Sequence, residues 1–161
     1  MASVFADITD NIVTTLSGQN ITLNGTSRRM TWETERFVNV GANRFPFGIV
    51  AGPAIEVVGR GHGVMNCEVH YLLNLADYTI DDEYSPTATI QPIASVTKDV
   101  IADIVKLLMV DQTRGGRARK TDFEAGGYYF DDDNDTPMFH VYLKIMVKTM
   151  VRESDPYYTG G

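Results

Sequence analysis

Cysteine is almost absent from this chain: Cys67 is the single one in 161 residues. No disulfide can form within the chain, so a reducing, intracellular site of folding is expected. Two sequons, Asn20-Ile21-Thr22 and Asn24-Gly25-Thr26, then read as coincidental. Long apolar runs are also lacking. No stretch approaches the roughly 20 uncharged apolar residues of a membrane-spanning helix. The opening segment does not read as a secretory signal, because Asp7 and Asp10 interrupt it and no basic region precedes it. Positive charge is scarce: 14 Lys and Arg stand against 21 Asp and Glu, a net charge of −7 with a pI near 4.8. Phosphate binding is driven by cations and counterion release, so bulk affinity for nucleic acid is excluded and only a local basic patch could reverse that.

The remaining composition, 43% hydrophobic and 22% charged, is that of an ordinary globular protein. A chain this long can bury about 70% of its unfolded surface without a metal or disulfide. Residues 1–161 read as a single domain, with a core over about 4–151 and a loose polar tail at 152–161.

Val4, Phe5, Ile8, Ile12, Val13 and Leu16 draw one stripe down a helix capped by Ser3 and stopped at Gly18. Residues 17–45 are polar and turn-rich, hold the only tryptophan, Trp32, and are expected to contain one or two short strands. Residues 45–50 and 54–58 read as two strands separated by Gly52-Pro53. Gly59, Gly61 and Gly63 mark a turn. Met65, Cys67, Val69, Tyr71, Leu73 and Leu75 then alternate with polar residues, which predicts a long half-buried strand. Residues 77–92 read as an acidic loop. Val96, Val100, Ile101, Ile104, Leu107 and Leu108 predict a second helix over 95–111, capped by Ser95. A basic loop at 114–120, a strand over 121–130 and an acidic turn lead to the last strand, where Phe139, Val141, Leu143, Ile145, Val147 and Val151 face the core. The fold class expected is α+β: a single antiparallel sheet of about four to six strands with two helices packed on one face.

No set of residues points to catalysis or a cofactor. His62, His70 and His140 read as surface histidines, since no Cys or Glu sits at ligand spacing, and no metal site is expected. Cys67 faces inward and reads as packing rather than as a nucleophile. Gly59-Arg-Gly-His-Gly63 leads into a strand and lacks the ending of a phosphate loop. Asp131, Asp133 and Asp135 begin like a calcium loop, but Thr136 and Tyr142 stand where Gly and Glu belong, so a solvated turn is the reading. The informative feature is charge in blocks. Arg114, Arg117, Arg119 and Lys120 form a basic loop that reads either as flexible and solvated or as a docking element. Asp81 and Asp82, with Asp131, Asp132 and Asp133, are its acidic counterparts for a head-to-tail contact between subunits.

An amphipathic first helix, a polar stretch with a tryptophan, the strand start Arg44-Phe45-Pro46-Phe47-Gly48-Ile49, a long alternating strand, an Ile/Val/Leu-rich helix and a closing strand after Pro137 together resemble the tail terminator, or tail completion, proteins of long-tailed bacteriophages. The resemblance spans about residues 4–151 and lies in element order. It implies a non-enzymatic virion protein, folded in the host cytoplasm. It further implies a ring, hexameric in that family, that caps the tail tube and joins it to the head connector, with DNA passing through the lumen without specific binding. Another neck or tail-tube component of the same fold is the alternative. A small nucleic-acid-binding module using the 114–120 loop is a third reading, against which the net charge argues.

Overall fold

The computed structural model describes residues 2–23, 26–34, 46–78, 93–131 and 138–159. Helix α1 spans Val4–Leu16; the Ser3 hydroxyl caps it by accepting from the Ala6 N–H at 3.2 Å. Its buried face is Val4, Ile8, Thr9, Ile12 and Leu16; Phe5 and Val13 of the expected stripe are only partly buried, and Thr9 joins the face. Strands β1 (Asn20–Leu23) and β2 (Thr26–Arg29) pair antiparallel as a separate two-stranded sheet.

The main sheet has six strands. Short β3 (Thr31–Thr34) lies parallel to the start of β4 (Phe47–Gly61). Antiparallel to one another run β4, β5 (Val64–Tyr78), β7 (Met138–Arg152) and β6 (Lys120–Asp131), in that spatial order, and β8 (Asp155–Thr159) folds back on β7. Helix α2 (Ile93–Met109) joins β5 to β6.

This is an α+β fold, but it departs from the expected single antiparallel sheet in two ways. Among the described residues there are two sheets, and the larger is mixed. A parallel neighbour requires a crossover of about a dozen residues, which the stretch between Thr34 and Phe47 is long enough to provide.

Other boundaries also move. The two segments around Gly52-Pro53 are one strand, because the missing Pro53 N–H is absorbed in a register shift between Ala51 and Ala54. Gly52 has φ +124°, and a Cβ there would stand 2.9 Å from the His70 carbonyl oxygen, so only glycine fits. Helix α2 starts at Ile93, directly after Pro92, which places Ser95 inside the first turn instead of at the cap. Asp77, expected in the loop, ends β5 fully buried and pairs with Arg28 at 2.9 Å. The tail expected to be loose supplies β8, whose pairing uses backbone groups that a polar sequence provides as well as an apolar one.

The core lies between the helices and one face of the main sheet. Cys67, Val69, Tyr71, Leu73 and Leu75 of β5 and Val141, Leu143, Ile145 and Val147 of β7 are buried there with Val100, Ile104 and Leu108 of α2. Trp32 is packed onto Gly48, where a Cβ would meet indole carbons at 2.3 Å; its Nε1–H donates to Met30 Sδ at 3.1 Å. Asp103 of α2 accepts from the Thr22 N–H at 2.8 Å and fastens the small sheet to the helix.

Candidate subunit interface

Residues 110–119 are not a loose basic loop. Asp111 closes the turn after α2, accepting from the Thr113 hydroxyl at 2.6 Å, the Gly115 N–H at 2.6 Å and the Thr113 N–H at 2.9 Å. The Thr113 hydroxyl first, then the Gly115 amide, with the Arg114 charge a lesser help, hold its carboxyl below its ordinary pKa.

Arg114 is 1% exposed. Its guanidinium donates to the Leu108 carbonyl oxygen at the end of α2 and to Asn11 Oδ1 on α1. Burial lowers its pKa, opposed by Asp111. A docking role for Arg114 is thereby corrected: the end of α2 needs a donor for its free carbonyls, and Arg114 turns inward to supply it. Arg117 bonds Asp7 of α1 at 2.9 Å while its carbonyl accepts from the Thr149 hydroxyl at 2.6 Å. Arg119 is exposed and held by its backbone N–H on the Lys148 carbonyl at 2.8 Å. Lys120 is exposed at the start of β6, 2.5 Å from Asp122. The structure thus brings the four cations onto one turn but leaves only Arg119, Lys120 and part of Arg117 at the surface. Asp81, Asp82, Asp132 and Asp133 lie outside the described residues, and Asp131 is placed only by its backbone, at the end of β6.

The sheet edges are a feature that sequence reasoning missed. β3 covers β4 over Phe47–Val50; beyond that, among the described residues, no strand pairs with the outer edge of β4 as far as Gly61. Nor, among the described residues, does any strand pair with the outer edge of β6. These edges lie at opposite sides of the sheet. Large apolar side chains stand exposed on both: Ile55 (46%), Val57 (40%) and Val58 (52%) on β4, and Phe123 (41%), Tyr128 (44%) and Tyr129 (45%) on β6. Register shifts at Ala51/Ala54, Val57/Gly59 and Phe123/Ala125 interrupt the edges and leave Ala54–Val57 and Ala125–Asp131 as the regular segments. The available signal was the β-branched run at 55–58 and the aromatic run at 128–130, but which edge each would occupy depends on strand order.

Cys67 is buried, and desolvation raises its thiol pKa against the lesser pull of Arg60, as its inward phase implied. His140 stacks on Tyr129 with ring centroids 4.5 Å apart and meets Asn74 Oδ1 at 3.2 Å; it does not approach His70, whose partner across β7 is Met146. Among the described residues, no helix is long and apolar enough to cross a membrane. No protein-family model matches the chain, and no curated protein matches it.

Proposed function

We propose that this chain is a structural virion subunit of the tail-terminator kind. It assembles into a ring that caps the tail tube and meets the head connector, with DNA passing through the lumen. It carries out no chemistry. The observation that supports this reading most is a pair of unlike sheet edges that no strand covers among the described residues, each presenting exposed large apolar side chains. An unpaired edge is a template for another strand. Two different edges on opposite sides of one subunit suit a heterologous contact, which closes into a ring when the rotation between subunits allows it. The order of elements, which resembles that of the phage family, suggests the particular ring.

The surface cations Arg117, Arg119 and Lys120 guide docking, facing the acidic stretches at 81–82 and 131–133 of a neighbour. Exposed ion pairs are worth about 0–1 kcal/mol each, so they set rate and register rather than hold the ring. The nucleic-acid reading weakens, because its basic patch loses Arg114 to the interior. The test is native mass spectrometry of the purified chain together with electron microscopy of particles. A ring, six subunits by the resemblance, is expected. A strictly monomeric chain at high concentration, with no ring at the tail end of particles, overturns the reading.

A further inference from the structure

Register puts three metal-ligating side chains on the face of the sheet opposite the helices. Glu56 of β4 pairs directly with Glu68 of β5, and His70 lies two residues further along β5, opposite Ala54. One donor atom from each of Glu56, Glu68 and His70 lies within 4.8 Å of the other two. Two carboxylates set directly across a strand pair repel each other, an arrangement that a bound cation would relieve. The methyl group of Ala54 leaves the imidazole room to lean toward Glu56, and Nε2 stands 3.8 Å from Glu56 Oε2.

The surroundings of the imidazole add a second observation, from a different strand. Its Nδ1 faces Glu124 Oε2, which reaches across from β6, at 3.6 Å. The ring thus lies between carboxylates, with Glu124 on its Nδ1 side and Glu56 on its Nε2 side. Nε2 is shielded from solvent and has no hydrogen-bond partner among the described residues. A carboxylate behind one ring nitrogen, with the other nitrogen not hydrogen-bonded and turned toward the ligand set, is the arrangement that orients histidine on a metal ion.

We propose that Glu56, Glu68 and His70 form a binding site for a divalent transition-metal ion of the zinc type, with Glu124 as a positioning residue behind the histidine. Zinc bonds of about 2.0–2.1 Å bring ligand atoms to about 3.3 Å from one another. Closing the difference takes side-chain rotation at both Glu56, 69% accessible, and Glu68, 26% accessible, with the strands left in place. Lys148 lies 3.6 Å from Glu68 Oε1, and Lys144 lines the same cleft as His70 and Glu124. These cations compete for the carboxylates and set an upper bound on affinity. One imidazole with two carboxylates leaves a coordination position open on the exposed face, where water or a donor from a neighbouring molecule completes the set. The inference does not rest on the ring reading.

The experiment is calorimetric titration of the EDTA-treated, dialysed chain with zinc chloride, repeated on variants whose folding is checked by circular dichroism. One ion per chain is expected. His70→Ala and the double variant Glu56→Gln/Glu68→Gln should each weaken binding at least 100-fold. Glu124→Gln should weaken it roughly 10- to 100-fold, Lys148→Met should strengthen it, and His62→Ala, at the hairpin turn, should change nothing. Absence of saturable zinc binding overturns the proposal. So does affinity unchanged in the Glu56→Gln/Glu68→Gln variant, which alters only surface side chains and stays informative if His70→Ala fails to fold. A loss with His62→Ala equal to that with His70→Ala would also overturn it, by marking adventitious binding. Because the readout is metal on the chain itself, failure here leaves the oligomer measurement untouched.

Discussion

Tyr71 carries its hydroxyl into the seam between α1 and the sheet, where it meets Thr9 Oγ1 at 3.0 Å. Burial pushes the phenol up to about 12, the Thr9 hydrogen bond pulling slightly the other way. When unfolded the phenol releases its proton near pH 10; when folded it does so only near pH 12. Its stabilisation is therefore complete below pH 10 and lost as the pH rises through 12. Urea denaturation at several alkaline pH values should show a fall in stability over that window, and Tyr71→Phe should remove most of it. At neutral pH the same substitution should cost only about 1 kcal/mol, the net worth of a hydrogen bond. Arg114 offers a sharper contrast. Arg114→Ala strips the buried end of α2 of its donor and should cost about 3 kcal/mol, whereas Arg119→Ala, on the same turn but exposed, should leave the melting temperature unchanged. Equal effects at the two positions would show that Arg114 is solvated after all. Nothing in the spelling Arg-Gly-Gly-Arg-Ala-Arg separates Arg114 from Arg119. The difference arises because a helix ends five residues before Arg114 and its last carbonyls need a partner.

At the scale of elements, the outcome depended on how local the controlling physics is. The alternation of β7 is a local property, and it was legible: Val141, Leu143, Ile145 and Val147 are buried and Lys144 and Lys148 exposed. Leu143→Ala should therefore cost about 2–5 kcal/mol, against near silence for Lys144→Ala, measured by thermal or urea unfolding. The stripe on α1 was readable for the same reason. What sequence could not supply was pairing. The parallel seat of β3 on β4 depends on a tertiary contact, Trp32 on Gly48, between residues that look unrelated along the chain. Gly48→Ala puts a methyl group into a rigid indole and should cost about 3 kcal/mol or more. The candidate metal ligands escaped notice for a similar reason. Glu56, Glu68 and His70 have no motif spacing and meet only because the turn at residues 62–63 sets the register of β4 on β5.

For the whole molecule, the two edges left uncovered among the described residues make a claim that charge patterning alone could not make. If the ring is heterologous, β4 of one subunit meets β6 of the next, and each subunit has one contact of each kind. Val57→Lys places a charge on the first edge and Tyr128→Lys on the second, in both cases at exposed positions that the monomer does not need for its core. Each variant alone should remain folded and lose the ring. Mixed in equal amounts, they should form a one-to-one pair and stop there. The intact β6 edge of the Val57→Lys subunit accepts the intact β4 edge of the Tyr128→Lys subunit, and the two remaining edges are both blocked. A like-with-like interface behaves differently: if β4 pairs with β4, the Tyr128→Lys chain dimerises without help and the Val57→Lys chain never does. Native mass spectrometry of the three samples separates these outcomes by mass. Rings that persist in both single variants would mean that the subunits meet elsewhere, and the edge-to-edge assignment would fall.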